Sequence, residues 1–341
     1  MEKQRNKKTP ENVLVTGGGG FLGKAVVKLL VKRGDIVSSF SRREHAGLKE
    51  FGVKQIQGDI SDKEAVLRAC KGMDLVFHIA AKPGVWGNYN NYYSTNVSGT
   101  LNVIAGCKIH GVQRLVYTSS PSVVFDGRDM EGADESARYP RHFYSHYSQT
   151  KAIAEQSVVK ASGRRLNTII LRPHLIWGPG DNHLVPRIIA RADKLRIIGN
   201  GKNLTDNVYI DNAADAHILA ADCLKYNEKL SARIYFITQD EPVPLWDMVN
   251  SILGAAGIPP ITGSINRKIA WIIGAALECV HKGLNIKKEP RVTRFVAQEL
   301  ATSHWFDISA AKKDLNYVPK VSIKQGLELL EQWLKNSDKT Y

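Results

Sequence analysis

Tyr147 and Lys151 stand four residues apart in a segment whose pattern favours a helix. On a helix this spacing puts both side chains on one face, one turn apart. A phenol with its ordinary pKa of about 10 exchanges protons poorly at neutral pH, but a neighbouring ammonium group favours its charged form and lowers that pKa. The pair therefore predicts acid–base chemistry, with Tyr147 exchanging the proton and Lys151 tuning it.

A run of hydroxyl groups ends the strand that is predicted before this pair. We assign Ser120 as the group that hydrogen-bonds the reacting oxygen and orients it toward the phenol, with Ser119 as the alternative. Both residues follow a central parallel strand at its carboxyl end, where open α/β sheets bind their ligands. Tyr144 competes with Tyr147 for the acid–base role, but only Tyr147 has a lysine at the required spacing.

A glycine-rich loop, TGGGGFLG at 16–23, separates a predicted strand from a predicted helix. The free amide groups at the start of such a helix bind a pyrophosphate. The run satisfies GxGxxG beginning at Gly18 and GxxGxxG beginning at Gly17, so the loop alone does not distinguish between dinucleotide-binding families. The predicted pyrophosphate contacts are Gly17, Gly20, Phe21, Leu22 and Gly23.

The end of the second predicted strand should hold the adenosine ribose. Ser41 stands there, followed by Arg42 and Arg43. An acidic residue at this place would favour NAD, whereas a serine with an arginine favours the 2′-phosphate of NADP. We therefore expect NADP(H), and NAD(H) stays open because both arginines can equally be solvated surface residues. Asp59 and Ile60, after the third strand, are expected to meet the adenine, although Asp59 also suits a turn or helix cap.

The elements around these residues alternate between short β-branched runs and amphipathic helical stretches. The predicted strands are 12–16, 36–41, 53–57, 74–80, 114–119 and 167–171, and the predicted helices are 21–33, 62–70, 95–110 and 147–161. This alternation predicts an α/β fold, with a Rossmann-type doubly wound parallel sheet over 11–177. A basic disordered head (1–10) precedes it. A smaller mixed α/β substrate lobe (178–341) follows, from which strands and helices can return to the first domain.

The combination of loop, serine and Tyr-x-x-x-Lys pair resembles the extended short-chain dehydrogenase/reductase family. Further matches are HIAA at 78–81, TN at 95–96 and LRP at 171–173, so the resemblance covers nearly the whole chain. It implies a nicotinamide cofactor and a homodimer formed through helices of the first domain. The cofactor contacts that it implies are Ala80, Ala81, Asn96, Tyr147, Lys151 and Pro173.

Later segments narrow this resemblance. Residues 171–180 and 206–212 resemble 3β-hydroxysteroid and sterol-4α-carboxylate 3-dehydrogenases, and residues 291–297 with 304–309 are similar to the 2-alkyl-3-oxoalkanoate reductases of bacterial olefin synthesis. The likeness implies NAD(P)H-dependent reduction of the ketone of a lipidic β-keto acid. The alternatives are steroid or sterol dehydrogenation and nucleotide-sugar epimerisation or dehydration. A substrate carboxylate needs a cation or a hydrogen-bond donor, for which the candidates are His174, His183 and Arg187.

Composition limits the remaining function classes. The 341 residues carry a formal net charge of +14, but no RNP, helix-turn-helix or zinc-finger signature accompanies it, so we expect no nucleic-acid binding. Four cysteines lie far apart without zinc-ligand spacing, which favours a reducing cytoplasm and no metal site. No secretion signal is predicted.

One apolar stretch, 265–284, has basic residues at both ends. Its longest uncharged part is too short to span a membrane. The stretch suits an interfacial helix that enters the inner surface of a membrane or covers a lipid channel. A core helix, an oligomer contact and a contact with a partner enzyme are the alternatives.

Overall fold

The computed structural model describes residues 9–337, so most of the predicted basic head lies outside the described residues. The strands are β1 (Asn12–Thr16), β2 (Ile36–Ser41), β3 (Lys54–Gln57), β4 (Leu75–His78), β5 (Arg114–Thr118), β6 (Met130–Ala133), β7 (Asn167–Pro173), β8 (Ile176–Trp177), β9 (Ile197–Ile198), β10 (Leu204–Thr205), β11 (Val208–Tyr209), β12 (Arg233–Ile237), β13 (Val243–Pro244), β14 (Ser264–Ile265) and β15 (His304–Phe306). The α-helices are α1 (Phe21–Arg33), α2 (Ala46–Lys49), α3 (Lys63–Cys70), α4 (Tyr89–Tyr92), α5 (Gly99–His110), α6 (His146–Ala161), α7 (Leu184–Ile189), α8 (Ile210–Tyr226), α9 (Leu245–Ala255), α10 (Arg267–Gly283), α11 (Arg294–Glu299), α12 (Ser309–Leu315) and α13 (Ile323–Ser337).

Seven parallel strands form the central sheet in the order β12-β7-β5-β4-β1-β2-β3. The inner strands are continuous apolar runs, such as the fully buried Val13, Leu14 and Val15 of β1, because helices cover both faces. The strand order reverses between β1 and β4. The crevice outside the carboxyl ends of these two strands is therefore the expected ligand site.

Two apolar clusters fill the space between this sheet and its helices. On one face, Val26 and Leu30 of α1 pack with residues of α8 such as Ala220. On the other, Val66 of α3 and Val103 of α5 belong to the second cluster. The sheet is thereby held between two helical layers, as the doubly wound prediction requires.

The smaller lobe is assembled from short pieces. Its largest sheet has four strands in the order β13-β10-β15-β6, and two-residue pairs join β8 with β11 and β9 with β14. A separate apolar cluster, which includes Trp246 of α9 and Ala270 of α10, supports it. This lobe lies over the carboxyl-end side of the central sheet through the segments that follow β5 and β7.

The predicted fold class is confirmed, and the two halves of the chain exchange strands. β12, from the second half, adds to the edge of the central sheet beside β7, while β6, from the first half, pairs with β15. The predicted helix 95–110 is divided, since residues Tyr93–Ser98 form a π-helix that runs into α5. Such one-turn insertions concentrate at functional sites.

Candidate active site

A cleft of about 700 Å³ lies at the carboxyl ends of β1, β2 and β4. It brings together most of the predicted cofactor contacts. Those that line it are Gly17, Gly20, Phe21, Leu22, Gly23, Ser41, Arg42, Asp59, Ile60, Ala80 and Ala81. The remaining predicted contacts are not part of this lining, and they are Asn96, Tyr147, Lys151 and Pro173.

The glycines of the loop let the protein backbone approach a bound ligand closely. Gly17 has φ of 72°, and a Cβ there would lie 3.0 Å from the Ala80 backbone. At Gly23 a Cβ would lie 2.1 Å from the Gly17 carbonyl oxygen, so only glycine lets the loop close onto α1. Gly20 precedes α1 without a side-chain cap, which leaves the first amide groups of the helix without that partner. These features fit a pyrophosphate, with Gly17 as the first glycine of GxxGxxG.

The rim of the cleft beyond β2 is basic. Ser41 Oγ donates a hydrogen bond of 2.8 Å to the Arg43 carbonyl oxygen, and Arg42 is exposed. Hydrogen bonds from Ser61 lower the pKa of Asp59, and the Arg42 guanidinium lowers it further. Asp59 thus forms the predicted turn while it also faces the cleft. His45 lines the same rim, a residue that the sequence patterns did not single out.

A buried relay of side chains fixes the floor of the cleft. Thr100 Oγ1 donates to the Asn96 carbonyl oxygen at 2.6 Å, so it accepts from His78 Nε2 at 2.9 Å. Thr16 Oγ1 accepts from Ala80 N at 3.2 Å and so donates to His78 Nδ1 at 2.8 Å. Burial lowers the pKa of His78 to about 3. The imidazole is therefore neutral, and it ties β1 and β4 to α5.

Asn96 sits in the π-helix and joins two parts of the site. Its Oδ1 accepts from Lys82 N at 2.7 Å, and its Nδ2 donates to Thr150 Oγ1 at 3.1 Å. Lys82 lines the cleft and Thr150 precedes Lys151. Asn96 thus lies beside the lysine segment, where the resemblance implies it, through Thr150 rather than through Lys151 itself.

Tyr147 and Ser120 meet at the end of β5. Ser145 caps α6 by accepting a hydrogen bond from Ser148 N, which places Tyr147 in the first turn of the helix. Burial raises the pKa of Tyr147, and a hydrogen bond with the Ser120 side chain opposes that rise. Ser120 Oγ also lies 3.0 Å from Ser122 Oγ. Ser119 Oγ is buried and has no hydrogen-bond partner. The Ser120 contribution to the Tyr147 pKa and the unpartnered Ser119 hydroxyl therefore favour Ser120, rather than Ser119, as the neighbour of the phenol.

Lys151 is almost completely buried. Its Nζ donates to Tyr117 OH at 2.7 Å and to the Thr118 carbonyl oxygen at 2.6 Å. Burial lowers the pKa of Lys151 to about 7, and the Glu155 carboxylate opposes this shift. The expected lowering of the Tyr147 pKa by Lys151 is not what the structure shows, because desolvation of the phenol dominates and the ammonium group is held by strand β5.

A buried ion pair between α6 and β7 supports this arrangement. Arg172 of β7 donates to both carboxylate oxygens of Glu155, at 2.6 and 3.0 Å, and Tyr139 OH donates to the same carboxylate at 2.6 Å. Glu155 lies one helical turn after Lys151. The pair therefore fixes α6 against β7, which carries Pro173 at its carboxyl end.

The comparisons with known proteins agree with this geometry. The sequence model of the 3-beta hydroxysteroid dehydrogenase/isomerase family matches residues 14–263. The chain belongs to this family. The 2-alkyl-3-oxoalkanoate reductase of Stenotrophomonas maltophilia is 48% identical over 324 residues, which cover 94% of this chain and 98% of the relative. The enzyme of the same name from Shewanella oneidensis is 46% identical over 330 residues, which cover 94% and 85%.

More distant relatives share the architecture. Human sterol-4-alpha-carboxylate 3-dehydrogenase, decarboxylating, is 34% identical over 330 residues, which cover 95% of this chain and 88% of the relative. The solved structure titled MoeE5 in complex with UDP-glucuronic acid and NAD has a TM-score of 0.74 at 24% identity, and the match covers 96% of this chain and 99% of the other. The predicted family and enzyme class are thus confirmed, and the protein is an NAD(P)-dependent oxidoreductase of the 3-beta hydroxysteroid dehydrogenase/isomerase family.

The predicted substrate residues of this family member lie in different settings. His174 is buried, and its Nδ1 lies 2.9 Å from Asp206 Oδ1. Arg187, on α7, forms an ion pair with Glu289. His183 is exposed at the start of α7. The structure therefore does not gather the three side chains into one anion site.

Glu299, at the end of α11, is an acidic residue of the site that the sequence patterns missed. Burial raises the pKa of Glu299 to about 8, and the Arg187 guanidinium opposes the rise. Its charge in turn contributes to the raised pKa of Tyr147. No local motif identifies this residue, because only the folding of the second lobe brings it near α6.

Proposed function

We propose that the protein reduces the ketone of a 2-alkyl-3-oxoalkanoate to the 3-hydroxy acid with a reduced nicotinamide cofactor. The observation that carries this proposal is the identity of 46% and 48% to two proteins named 2-alkyl-3-oxoalkanoate reductase, each over 94% of this chain. A match of that extent includes the second lobe, where a substrate is selected, as well as the cofactor half.

In this mechanism the chain supplies the proton and holds the reacting oxygen. The residues of the glycine loop would hold a reduced nicotinamide cofactor in the cleft, and such a cofactor would supply the hydride for the ketone carbon. Tyr147 donates its phenolic proton to the ketone oxygen, which yields the secondary alcohol. Its raised pKa keeps the phenol protonated at neutral pH, as a general acid requires. Ser120 Oγ donates a hydrogen bond to the same oxygen and fixes its distance from the phenol.

Lys151 positions this machinery. We propose that its ammonium group, already directed by Tyr117 and Thr118, reaches the ribose next to the nicotinamide. Asn96 holds the Lys82 and Thr150 segments together, and these segments with Pro173 would contact the nicotinamide half of the cofactor. With a pKa of about 7, Lys151 can exchange a proton at neutral pH.

NADP(H) is the proposed cofactor, with NAD(H) as the alternative. Arg42 and Arg43 extend from the rim of the cleft beside Ser41, where the 2′-phosphate of the adenosine ribose would lie. Asp59 and Ile60 are proposed to meet the adenine. Asp59, whose pKa the Arg42 guanidinium lowers, accepts two hydrogen bonds from Ser61, and no ion pair occupies Arg42 among the described residues, which leaves the guanidinium for a phosphate.

For the substrate carboxylate we propose Arg187 and His183 as partners. His174 is proposed to support the lobe instead, because Asp206 holds it and Asp206 also accepts from Phe306 N at 2.8 Å. The runner-up function is sterol-4α-carboxylate dehydrogenation, which the 34% identity to the human enzyme favours. Both substrates carry an oxygen function beside a carboxylated carbon.

The assembly and location are part of the proposal. A homodimer through the first domain would cover Leu101 and Ile109, apolar side chains of α5 that are exposed in the monomer. The four cysteines are unpaired, which suits the cytoplasm. Among residues 9–337 no helix is long and apolar enough to cross a bilayer. We propose that the protein binds peripherally to the inner face of a membrane.

The test mixes the purified protein with NADPH or NADH and one of three substrates: a 2-alkyl-3-ketoacid, a 3-ketosteroid and a UDP-sugar. Absorbance of the reduced cofactor is followed. We expect NADPH oxidation with the ketoacid. Oxidation with the steroid alone would replace the proposal by its runner-up, and sugar epimerisation without cofactor turnover would exclude a reductase.

A further inference from the structure

Helix α10 turns its apolar side chains toward solvent. Ile269, Ile272, Ile273 and Val280 are 52%, 59%, 41% and 51% exposed. Their spacing of three, one and seven residues places them on one face, together with the exposed Ala276. A helix on a protein surface normally buries such a face. The apolar face of α10, defined by these five residues, therefore has no partner among residues 9–337.

The opposite face of α10 explains how the helix stays attached. It buries Ala270, Gly274 and Glu278, which are small or charged. A Cβ at Gly274 would lie 2.8 Å from Arg294 N, so α10 packs directly on the backbone before α11. Glu278 pairs with Arg294 at 2.7 Å. Because small residues and an ion pair hold the helix, its large apolar side chains are left for another contact.

Basic groups lie along one side of the apolar face and beyond its end. Lys268 borders the face at the start of the helix, and Lys282, Lys287 and Lys288 lie at and after the end of the helix, all exposed. The two acidic residues of the same stretch point elsewhere, since Glu278 pairs with Arg294 and Glu289 with Arg187. An apolar stripe bordered by cations complements a bilayer whose headgroups are anionic. Protein interfaces, in contrast, are depleted of lysine.

The position of α10 connects this face with the site. Arg267, at its start, donates to the Gly127 carbonyl oxygen at 3.4 Å, on the loop that follows Ser120. Beyond its end, the Ile286 carbonyl oxygen accepts from Trp86 Nε1 at 3.3 Å, and Trp86 lies on the loop that follows the cofactor-lining segment of β4. The helix thus rests on both loops that flank Ser120 and Ala80.

The end of α10 also lies close to α6. Partial burial lowers the pKa of His146, the residue before Tyr147, and the Lys282 ammonium group lowers it further. Trp86 and the His281 ring meet edge to face, with 6.0 Å between their centroids. The end of α10 therefore lies close to the start of α6, which carries Tyr147.

We propose that α10 is an interfacial helix that docks the protein on an anionic membrane, so that a lipidic substrate passes from the bilayer to Tyr147 without entering bulk water. The substrate part of this inference rests on the proposed function, and the docking part does not. Ile269, Ile272, Ile273 and Val280 enter the acyl region, while the lysines contact phosphate groups.

Flotation with vesicles tests the docking. Vesicles of phosphatidylcholine, with or without about 30% phosphatidylglycerol, are mixed with the full chain. We expect binding to the anionic vesicles that falls at least about tenfold in the double variant Ile272→Asp, Ile273→Asp and weakens in Lys268→Glu. Val318→Asp is the matched control, because Val318 is 64% exposed between α12 and α13 and should leave binding unchanged.

Two results would overturn the docking. One is a wild-type protein that stays with the aqueous fraction in both lipid mixtures, or a double variant that floats as well as the wild type. The other is a double variant that changes from dimer to monomer in light scattering while the wild type does not float, which would make the apolar face a contact between two copies of this chain.

A rate comparison separates this inference from the proposed function. A short, water-soluble 2-alkyl-3-ketoacid is compared with a long-chain one embedded in anionic vesicles. We expect the double variant to keep its rate on the short substrate and to lose at least about tenfold on the long one. If neither substrate oxidises NADPH, the proposed function fails while flotation still decides the docking. If the wild type and the double variant act equally on both substrates, the delivery of lipid through α10 is refuted.

Discussion

The cofactor side of the site is held by buried hydrogen bonds among the parallel strands and their adjoining helices, whereas the substrate side is held by an ion pair between a short helix and a distant loop. On the first side, His78 joins β1 to α5, and Lys151 is anchored on β5. On the second, Arg187 and Glu289 pair across 102 residues of sequence, between pieces that two-residue strands connect. Sheet contacts keep the reacting groups in place, while the loop contacts can change with the substrate.

The largest effects should therefore come from substitutions on the cofactor side. Lys151→Met should lower kcat by about 100-fold or more, because the proposed contact between its ammonium group and the nicotinamide ribose is lost. Steady-state rates of NADPH oxidation measure this loss. A rate within a factor of two of the wild type would remove Lys151 from the mechanism.

The same variant should unfold less readily at low pH. The pKa of Lys151 is about 7 in the folded protein, below its ordinary value of 10.5, so the folded state disfavours the charged form. The cost is complete below pH 7 and disappears as the pH rises toward 10.5. We expect Lys151→Met to be more stable by about 1 to 3 kcal/mol near pH 6, after loss of its hydrogen bonds, and this gain to shrink toward pH 10. Urea unfolding at several pH values tests the trend, and a pH-independent difference would contradict it.

Removal of the buried Glu155 carboxylate of α6 should have the next largest effect. Glu155→Ala leaves Arg172 buried and unpaired, which costs about 3 to 5 kcal/mol of unfolding free energy. Glu331→Ala is the control, because its pair with Lys335 is exposed and should contribute less than about 0.5 kcal/mol. Denaturant unfolding measures both. Equal losses of unfolding free energy in the two variants would show that the cofactor side does not depend on the ion pair of Glu155 with Arg172.

The rim of the cleft, which we propose to select the cofactor, should give a smaller effect. Arg42→Ala should weaken NADPH binding about tenfold and leave NADH binding unchanged, because in the proposed complex only the 2′-phosphate contacts the guanidinium. Arg164→Ala, at an exposed position before β7, is the control. Fluorescence titration with each cofactor measures the dissociation constants. Parallel weakening of both cofactors would show that Arg42 does not select the phosphate.

A substitution on the substrate side should produce the smallest effect. Glu299 raises the pKa of Tyr147 when it is charged, which occurs above its own pKa of about 8. Glu299→Gln removes that charge, so the pKa of Tyr147 should fall and the alkaline decline of ketone reduction should begin at a lower pH. A pH profile of kcat measures the shift. A shift in the opposite direction would mean that Glu299 does not act through Tyr147.

The same division explains what sequence patterns could predict. Gly17, Ser41 and Ala80 stand at fixed distances from elements with clear periodicity, so their meeting at one edge of a parallel sheet follows from the topology. The anchoring of Lys151 on Tyr117 and Thr118 does not follow from helix spacing, because it depends on how closely α6 packs on β5.

The second lobe gives weaker patterns for a physical reason. Strands of two residues, such as β8 and β9, show no alternation, and non-local contacts determine their pairing. Glu299 and the Arg187 pair with Glu289 arise from such contacts. The exposed face of α10 was foreseen as an apolar stretch with basic ends, but its orientation toward solvent depends on Gly274 packing against residue 294.

The central claim is that Tyr147 donates the proton in reduction of a 2-alkyl-3-oxoalkanoate. The direct measurement is NADPH oxidation by Tyr147→Phe on a 2-alkyl-3-ketoacid, beside Tyr144→Phe, which removes the exposed hydroxyl of the neighbouring tyrosine. We expect at least about a 100-fold loss in kcat for Tyr147→Phe with unchanged NADPH binding, and near-wild-type turnover for Tyr144→Phe. Undiminished turnover by Tyr147→Phe, or a loss confined to Tyr144→Phe, would contradict the account.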